Sequence, residues 1–338
     1  MKKTVLLSLL CLLPALAMAQ DRRKIRIIYP NAGALINGQL GHILEKTDIL
    51  ERNGLDAELV GFPYWPPMQE AMVSGNADVA LASEACFVNI ALKFPSTQIA
   101  TVGSAGRVAI MVPPGSPAKK LSDLKGKSVT TVFGTSVHYP AFKWIRDAGL
   151  TPGKDIKVTH MSAGEGQAAL AKGDIDAMTI WDPFVANMEQ KKTGRVLVEK
   201  PSFLTTMIAT DEFLKRDPEA AIRFLTALHE AVLYLHYNKD QANAWFSKTN
   251  GVPVDIIDRG SRYNTFYAKA KKMKDIDLTP GEDLLSLLEN ISAFNEENKL
   301  QVGKSPVREK NDPSYVKEAR KRALAAKFDP KTVKVKVK

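Results

Sequence analysis

The chain has 338 residues, of which 45% are hydrophobic and 25% are charged, and its formal net charge is +10. This charge is concentrated at the C-terminus: residues 304–338 contain twelve Lys or Arg against four Asp or Glu, whereas residues 20–303 sum to zero. The distribution excludes a nucleic-acid-binding surface spread over the chain, so no nucleic-acid partner is expected. Residues 304–338 are predicted to form a basic C-terminal tail, with a surface helix and a frayed end.

The first residues are typical of an export signal. Two lysines follow the initial methionine and precede an apolar stretch, and Ala17 and Ala19 form a small-x-small cleavage sequence. The sequence therefore predicts a signal peptide over 1–19, cleaved after Ala19, and a remaining chain long enough for two domains. After this signal, no stretch approaches the ~20 apolar residues that a transmembrane helix needs.

From Lys24 onward, short apolar runs alternate with helical stretches, which is the pattern of parallel βαβ units. The first set has strands predicted at 24–30, 56–63 and 78–83, and helices predicted at 39–52, 67–74 and 84–92. The second set has strands predicted at 107–115, 129–134, 156–162 and 176–184, with helices that begin near 137 and at 166. The region after Thr210 is helical, with helices predicted at 211–248, 254–272 and 281–298. The predicted fold class is α/β.

Two changes in the pattern predict how the chain divides into lobes. Small residues at 103–106 precede the second set of strands, and the helical region begins after Thr210. We expect lobe 1 to contain 20–106 and 209–303, and lobe 2 to contain 107–208. A chain that leaves and re-enters lobe 1 in this way crosses on two strands, which form a hinge. Because ligands of open α/β sheets bind beyond the carboxyl ends of the strands, two facing sheets would form a binding cleft.

Four joints between a predicted strand and the next helix are rich in small and hydroxyl residues and contain no Lys or Arg. They lie at 29–35, 82–85, 134–138 and 162–167. Such joints collect free backbone N–H groups, hydroxyls and the partial positive charge of helix starts, all of which suit an anion. Ser, Thr and Asn also cap helices, and for any single joint capping is the simpler interpretation. Four joints at equivalent strand ends favour a site.

Aromatic and acidic residues border two of the strand ends. Tyr64 and Trp65 lie in a proline-rich stretch that suits either a pocket wall or an aromatic cluster at the domain edge. Trp181 suits either a pocket floor or the core. Asp182 could accept a hydrogen bond from a ligand or, with Pro183 after it, could cap a helix.

Motifs for catalysis or metal binding were not found, since the sequence contains no HExxH, CxxC, GxSxG or GxxxxGK[ST] pattern. Ser136 and His138 are two residues apart and cannot face each other within a helix. His229 and His236 lie on an apolar helical face that is typical of a buried stripe. Cys86 is the only cysteine after the signal and is interpreted as a buried hydrophobic residue. The sequence therefore predicts no catalytic residue, no metal and no cofactor.

Four segments in this order carry a family resemblance: NGLDAELVGFP at 53–63, SGNADVALASEA at 74–85, LSDLKGKSVTTVFGTSVHYPAFKWIRDAGL at 121–150 and ALAKGDIDAMTIWDPF at 169–184. The chain resembles the solute-binding proteins of ABC importers for sulfonates, taurine and nitrate, from about 24 to 213 and more loosely to about 298. The resemblance implies a two-lobe periplasmic-binding-protein fold, with a mixed sheet flanked by helices in each lobe, a two-strand hinge and a periplasmic location. It also implies that backbone amides and hydroxyls at helix starts hold the ligand in the cleft.

The joints, the aromatic residues and the resemblance together give one set of candidate ligand-binding residues: Asn31, Gly33, Tyr64, Trp65, Ser83, Glu84, Gly134, Thr135, Ser136, His138, Trp181 and Asp182. The implied function is the capture of a small organic anion, an aliphatic or aromatic sulfonate such as an alkanesulfonate or taurine, and its delivery to a membrane permease. The alternatives are an enzyme on the same fold, or a binder of nitrate or of a pyrimidine or thiamine precursor. Nitrate is disfavoured, because nitrate binders of this kind use cationic side chains that the joints lack. A monomer is expected.

Overall fold

A computed structural model describes residues 22–31 and 34–336, and only the backbone of residues 104–105 and 202–204. The predicted signal peptide at 1–19 lies outside the described residues. The first part of the chain contains β1 (Arg23–Pro30), α1 (Leu35–Lys46), α2 (Ile49–Arg52), β2 (Leu55–Phe62), α3 (Trp65–Val73), β3 (Val79–Ser83) and α4 (Glu84–Ala91). The middle part contains β4 (Ser96–Val112), β5 (Ser128–Thr131), α5 (His138–Asp147), β6 (Lys157–His160), α6 (Ala163–Lys172), β7 (Ala177–Trp181), α7 (Phe184–Gln190) and β8 (Arg195–Thr210).

The last part of the chain is helical, as predicted. It contains α8 (Asp211–Arg216), α9 (Pro218–Tyr237), α10 (Lys239–Asn250), α11 (Val254–Ser261), α12 (Thr265–Lys269), α13 (Glu282–Glu297) and α14 (Ser314–Ala325). Within residues 22–31 and 34–336, no helix is both long and apolar enough to cross a membrane.

The strands form two mixed sheets of five strands each, which confirms the predicted α/β class and the mixed sheets. The strand order is β2-β1-β3-β8-β4-β7-β5-β6. The long strands β4 and β8 pair with each other along their length, and each contributes one half to each sheet. In the first sheet β1, β2 and β3 are parallel to one another and antiparallel to β8, and in the second β5, β6 and β7 are parallel and antiparallel to β4.

These strand directions decide where the carboxyl ends of the strands lie. β4 runs from the first sheet into the second. β3 and β4 are each antiparallel to β8, so β3, together with β1 and β2, runs in the same direction as β4. β5–β7 run in the opposite direction to β4. The parallel strands of each sheet therefore end facing the other sheet, which creates one cleft between two sets of carboxyl ends.

The passage between the sheets coincides with irregular pairing of β4 and β8. Register shifts fall between Thr101 and Arg107, next to the predicted boundary at 103–106. On β8, however, Thr205–Ala209 pair with β3 of the first sheet. Residues 205–208, which the sequence analysis assigned to lobe 2, are therefore part of the sheet of lobe 1, because the strand continues past the crossing before the helices begin.

Four elements predicted from the sequence have different bounds in the structure. The helix expected over 211–248 is interrupted at Asp217, whose carboxylate accepts from the Ala220 N–H, while Pro218 at the next position lacks the N–H that would continue the helix. The helices expected over 39–52 and 254–272 are each divided in two. β4 begins at Ser96 rather than at 107, because its polar first residues interrupt the apolar pattern.

The C-terminal extension, residues 304–336, packs on lobe 1 and is not a frayed end. α14 lies against α9 and buries Val316, Ala319 and Ala323. Near its end, Val335 forms a β-bridge with Thr47. The prediction of a surface helix is correct. The prediction of a frayed end is wrong, because the segment with alternating lysines has backbone partners on lobe 1.

The charge of the C-terminal extension is matched by lobe 1. Five of its basic side chains pair with carboxylates there: Arg308 with Glu282 and Glu289, Lys310 with Asp211, Arg320 with Asp277, Arg322 with Glu219, and Lys336 with Glu51. Such partly exposed pairs each contribute little to stability. The buried apolar face of α14 is therefore what holds the extension.

Val316→Asp should lower the free energy of unfolding by about 2–4 kcal/mol, because it places an unpaired carboxylate in an apolar contact. Chemical denaturation followed by circular dichroism measures this change. The matched control is Lys317→Asp, at the next and exposed position, where a change within about 0.5 kcal/mol is expected. Equal stability of the two variants would contradict the packing of α14 on α9.

Glu230 on α9 makes the free energy of unfolding depend on pH. Its side chain is buried, and Asn53 Nδ2 donates a hydrogen bond of 2.7 Å to Oε2. Burial raises the pKa of Glu230 from 4.5 to about 7, although the hydrogen bond from Asn53 opposes the rise. A carboxyl whose pKa is raised in the folded state stabilises the fold below its unfolded pKa, and this stabilisation is lost as the pH rises through 7.

Glu230→Gln should therefore match the wild type near pH 4 and exceed its free energy of unfolding at pH 8, by on the order of 2–3 kcal/mol. Urea denaturation at several pH values measures the difference. Glu219→Gln on the same helix is the control with the opposite sign, since the hydrogen bond from Arg322 lowers the pKa of Glu219. A difference between Glu230→Gln and the wild type that does not grow with pH would contradict this assignment.

Candidate functional site

The cleft between the sheets has a volume of about 1310 Å³ and lies at the carboxyl ends of the six parallel strands. Its lining includes residues that follow each strand: Ala34 after β1, Pro63–Trp65 after β2, Ser83 at the end of β3, Val132–Ser136 after β5, Ser162–Gly164 after β6, and Trp181 and Phe184 around the end of β7. Seven of the twelve candidate residues line this cleft: Tyr64, Trp65, Ser83, Gly134, Thr135, Ser136 and Trp181.

The loop at 132–136 is a tight turn with unused donors. Gly134 has φ of +73°, a left-handed conformation that favours glycine. The Thr135 hydroxyl donates to the Val132 carbonyl at 2.7 Å and so closes the turn. In contrast, the Ser136 hydroxyl and the amides of Thr135 and Ser136 have no acceptor within the described part of the chain. This loop, referred to below as the donor loop, therefore presents N–H and O–H groups to the cleft.

Two imidazoles hold the donor loop from its sides. The Phe133 N–H donates to Nδ1 of His160 at 3.1 Å, and the Gly134 N–H donates to Nδ1 of His138 at 3.3 Å. His138 is stacked on Phe133 with ring centroids 4.3 Å apart and is only 4% exposed. Burial, with a smaller contribution from the charge of His160, lowers the pKa of His138 to about 4. His138 is therefore neutral at physiological pH and can accept from the loop.

The lobe 1 side of the cleft provides a hydroxyl, a thiol and an amide. Ser83 Oγ lies 3.2 Å from Cys86 Sγ, and burial raises the pKa of the Cys86 thiol to about 12. Cys86 is therefore protonated at neutral pH and is a poor nucleophile. The Asn89 side chain donates across the cleft to the Gly134 carbonyl at 3.3 Å, and it accepts from Asn295.

Aromatic and aliphatic side chains form an apolar part of the cleft wall. Tyr64 is 60% exposed, whereas Trp65 is 7% exposed and donates through Nε1 to Gln69. The helix that follows, α3, has prolines at its second and third positions, so its first turn lacks two of the usual N–H donors. Across the cleft, Trp181 packs edge-on against Phe184. This part of the cleft therefore suits an apolar group.

Four other candidate residues, Asn31, Glu84, His138 and Asp182, are described by the structure and do not line the cleft. Asn31 pairs with Phe62 and Asn250 through its backbone, Glu84 is buried in the first turn of α4, and His138 is enclosed by aromatic rings. Gly33 lies outside the described residues. Glu84 and His138 were placed in the site because they stand at strand-to-helix joints, and a joint does not determine which way a side chain points.

Asp182 is the clearest correction, because its carboxylate is committed elsewhere. It accepts from Arg107 Nε and Nη2 at 3.0 and 3.1 Å, and from the Ala186 N–H at 3.1 Å. Both Asp182 and Arg107 are buried. Two roles were considered for Asp182, a ligand contact and a helix cap. The structure shows the second: Asp182 accepts from an N–H in the first turn of α7, and it also forms a buried ion pair with Arg107 beside the hinge.

Sequence reasoning missed several residues that line the cleft, notably His160, Asn89 and Phe133. His160 ends β6, so its position at a strand end was a usable signal. Asn89 lies in the middle of α4, and no local pattern indicates that it crosses the cleft. The joint at 162–167 was identified, and Ser162 there completes a capping box with Glu165.

The charge of the lining limits what the cleft can do chemically. Among the described lining residues there is no Lys or Arg, and Glu70 is the only carboxylate. In the described ranges, no group of three His, Cys, Asp or Glu residues is arranged to hold a metal ion. The lining therefore offers hydrogen-bond donors and apolar surface.

Comparisons with known proteins agree with this geometry. A family model described as "ABC transporter, phosphonate, periplasmic substrate-binding protein" matches residues 46–247. A putative aliphatic sulfonates-binding protein of Escherichia coli is 27% identical over 65% of this chain and 71% of its own length.

Two solved structures share the fold. The periplasmic aliphatic sulphonate binding protein SsuA from Escherichia coli aligns with a TM-score of 0.73 at 22% identity, over 85% of this chain and 91% of its own. The desulfurization enzyme DSZB aligns with a TM-score of 0.66 at 15% identity, over 89% of this chain and 99% of its own. At these identities, the likeness establishes the two-lobe fold.

The family model covers more than half of the chain, and the resemblance identified from the sequence is thereby confirmed. Proteins of this family bind a small ligand and work with a membrane permease. The chain belongs to the family of periplasmic substrate-binding proteins of ABC transporters described by the phosphonate-type model.

Proposed function

We propose that this protein captures an organic sulfonate with an apolar body in the cleft between its lobes and delivers it to a membrane permease for import. The observation that carries the proposal is the lining of the cleft, which combines unused neutral donors with a wide apolar wall and lacks Lys and Arg among its described residues. Both walls come from the same chain, so a monomer suffices. Residues 1–19 would direct the chain to the periplasm.

The donor loop supports a monoanionic head group. Backbone amides and hydroxyls that are fixed before the ligand arrives can stabilise an anion without a charged partner. A phosphonate carries more negative charge at neutral pH than a sulfonate, and neutral donors offset its desolvation less well. The Escherichia coli relative, a putative aliphatic sulfonates-binding protein, favours the same head group.

The size of the cleft supports a bulky tail. Pockets for drug-sized ligands commonly have volumes of roughly 300–1,000 Å³, and this cleft exceeds that range at about 1310 Å³. Taurine or nitrate would leave most of the apolar wall in contact with water. An aromatic sulfonate would instead cover Tyr64, Trp65 and Trp181.

An enzyme on the same fold is the alternative, because the desulfurization enzyme DSZB shares it. The Cys86 thiol is protonated, and burial keeps His138 neutral outside the cleft. The Ser136 hydroxyl makes no hydrogen bond to a general base within the described part of the chain. These features favour binding without chemistry.

The test is a panel of ligands examined by thermal shift and calorimetry in a buffer free of sulfonates. 2-Naphthalenesulfonate and 1-hexanesulfonate should bind more tightly than taurine, phenylphosphonate or nitrate. A ligand at a hundredfold excess over its Kd should stabilise the protein by ~2.7 kcal/mol. Tighter binding of phenylphosphonate or nitrate would contradict the proposed ligand class, and sulfite release would contradict binding without turnover.

Ser136→Ala should weaken 2-naphthalenesulfonate binding by about tenfold, because one hydrogen bond to a charged group is lost. Isothermal titration calorimetry measures the Kd. Ser314→Ala is the control, since Ser314 is an exposed residue at the start of α14 on lobe 1, and its Kd should equal that of the wild type. An unchanged Kd for Ser136→Ala would remove the Ser136 hydroxyl from the site.

A further inference from the structure

His160 stands at the edge of the cleft beside the donor loop. β5 and β6 are parallel neighbours, and Thr131 at the end of β5 lies opposite His160 at the end of β6. The imidazole of His160 therefore reaches the cleft wall next to residues 132–136, and it is part of the described lining.

The Phe133 N–H fixes which nitrogen of His160 carries the proton. This N–H donates to Nδ1 at 3.1 Å, and a ring nitrogen that accepts a hydrogen bond cannot itself carry a proton. A neutral imidazole has one N–H, so the proton of neutral His160 is on Nε2. No residue in the described ranges accepts a hydrogen bond from this Nε2–H.

His138 makes the same kind of contact but cannot serve the ligand. Its Nδ1 accepts from the Gly134 N–H, and its ring is enclosed by Phe133, Phe142 and Phe294 and does not line the cleft. The two imidazoles thus share the role of holding the donor loop. Only His160 combines that role with an open donor at the cleft.

We propose that His160 is a ligand-binding residue whose Nδ1 holds the donor loop and whose Nε2–H donates to the anionic group of the ligand. This inference rests on the proposed function, because it takes the head group of the organic anion as the acceptor. A sulfonate suits this donor, since its three oxygens accept hydrogen bonds and donate none. His160 thereby adds a neutral donor for an anionic head group to the donors of the loop.

Two isosteric substitutions separate the two nitrogens. His160→Asn puts a carbonyl oxygen near the position of Nδ1 and removes the donor, whereas His160→Gln puts an amide N–H near the position of Nε2 and removes the acceptor. Titration of 2-naphthalenesulfonate in Tris-chloride should show a loss of about tenfold or more for His160→Asn and a smaller loss for His160→Gln. His236→Asn is the control, because His236 faces the Tyr267 carbonyl in lobe 1, and its Kd should not change.

The inference is overturned by wild-type affinity of His160→Asn, or by a loss for His160→Gln at least as large as that for His160→Asn. Thermal unfolding of each variant checks that it is folded. A second readout needs no ligand: ¹⁵N NMR of the imidazole should show His160 as the Nε2–H tautomer, and an Nδ1–H tautomer would overturn the inference. If the wild type binds no sulfonate, the proposed function fails for this ligand class and the ligand-binding role of His160 fails with it, whereas an Nε2–H tautomer would still show that Nδ1 holds the donor loop.

Discussion

The antiparallel pairing of β4 and β8 is the constraint on which the rest of the molecule depends. Both strands run through both sheets, so each sheet is built on one half of the same pair. The two strands are antiparallel, β3 is antiparallel to β8, and β7 is antiparallel to β4, so the parallel strands of one sheet run in the opposite direction to those of the other. Six carboxyl ends therefore face each other across one cleft, which residues of both lobes line.

The lobes also meet away from the strand pair. Asn89 of α4 donates to the Gly134 carbonyl, and Phe294 of α13 packs against Tyr139 and Phe142 of α5. These contacts tie lobe 1 to the donor loop and to the helix that follows it. Contacts of this kind depend on how the lobes are arranged, so they couple the shape of the loop to the arrangement of the lobes.

The proposed site would hold an anion without a cationic side chain. A lysine would bring charge, but its flexible side chain loses rotamer freedom when it is fixed. The donor loop is fixed by Gly134, by the hydroxyl of Thr135 and by two imidazole acceptors, all within the protein. Its free donors are thus oriented before binding, which reduces the entropy lost when a ligand arrives.

Much of this architecture could be predicted from the sequence, because alternating apolar runs and helices determine where strands end. The α/β class, the helical third segment and the donor loop all follow from local patterns. The direction of a side chain at a strand end does not. Asp182 follows an apolar strand and precedes proline, which suits a ligand contact as well as a cap, and only the buried Arg107, 75 residues earlier in the chain, determines its role.

The C-terminal extension was misjudged for a similar reason. Its alternating lysines are typical of a solvated end, yet Val316, Ala319 and Ala323 find a partner face on α9. That face is far away in sequence and could not be inferred from the extension itself. Asn89 was missed because its importance depends on a partner in the other lobe.

A crystal structure with 2-naphthalenesulfonate bound tests the central claim most directly, namely that preoriented neutral donors at the end of β5 hold the anionic group. The account predicts sulfonate oxygens within hydrogen-bonding distance of the Thr135 and Ser136 amides, with the aromatic rings against Trp65 and Trp181. A sulfonate held by Lys or Arg side chains, or one that does not touch the donor loop, would contradict it.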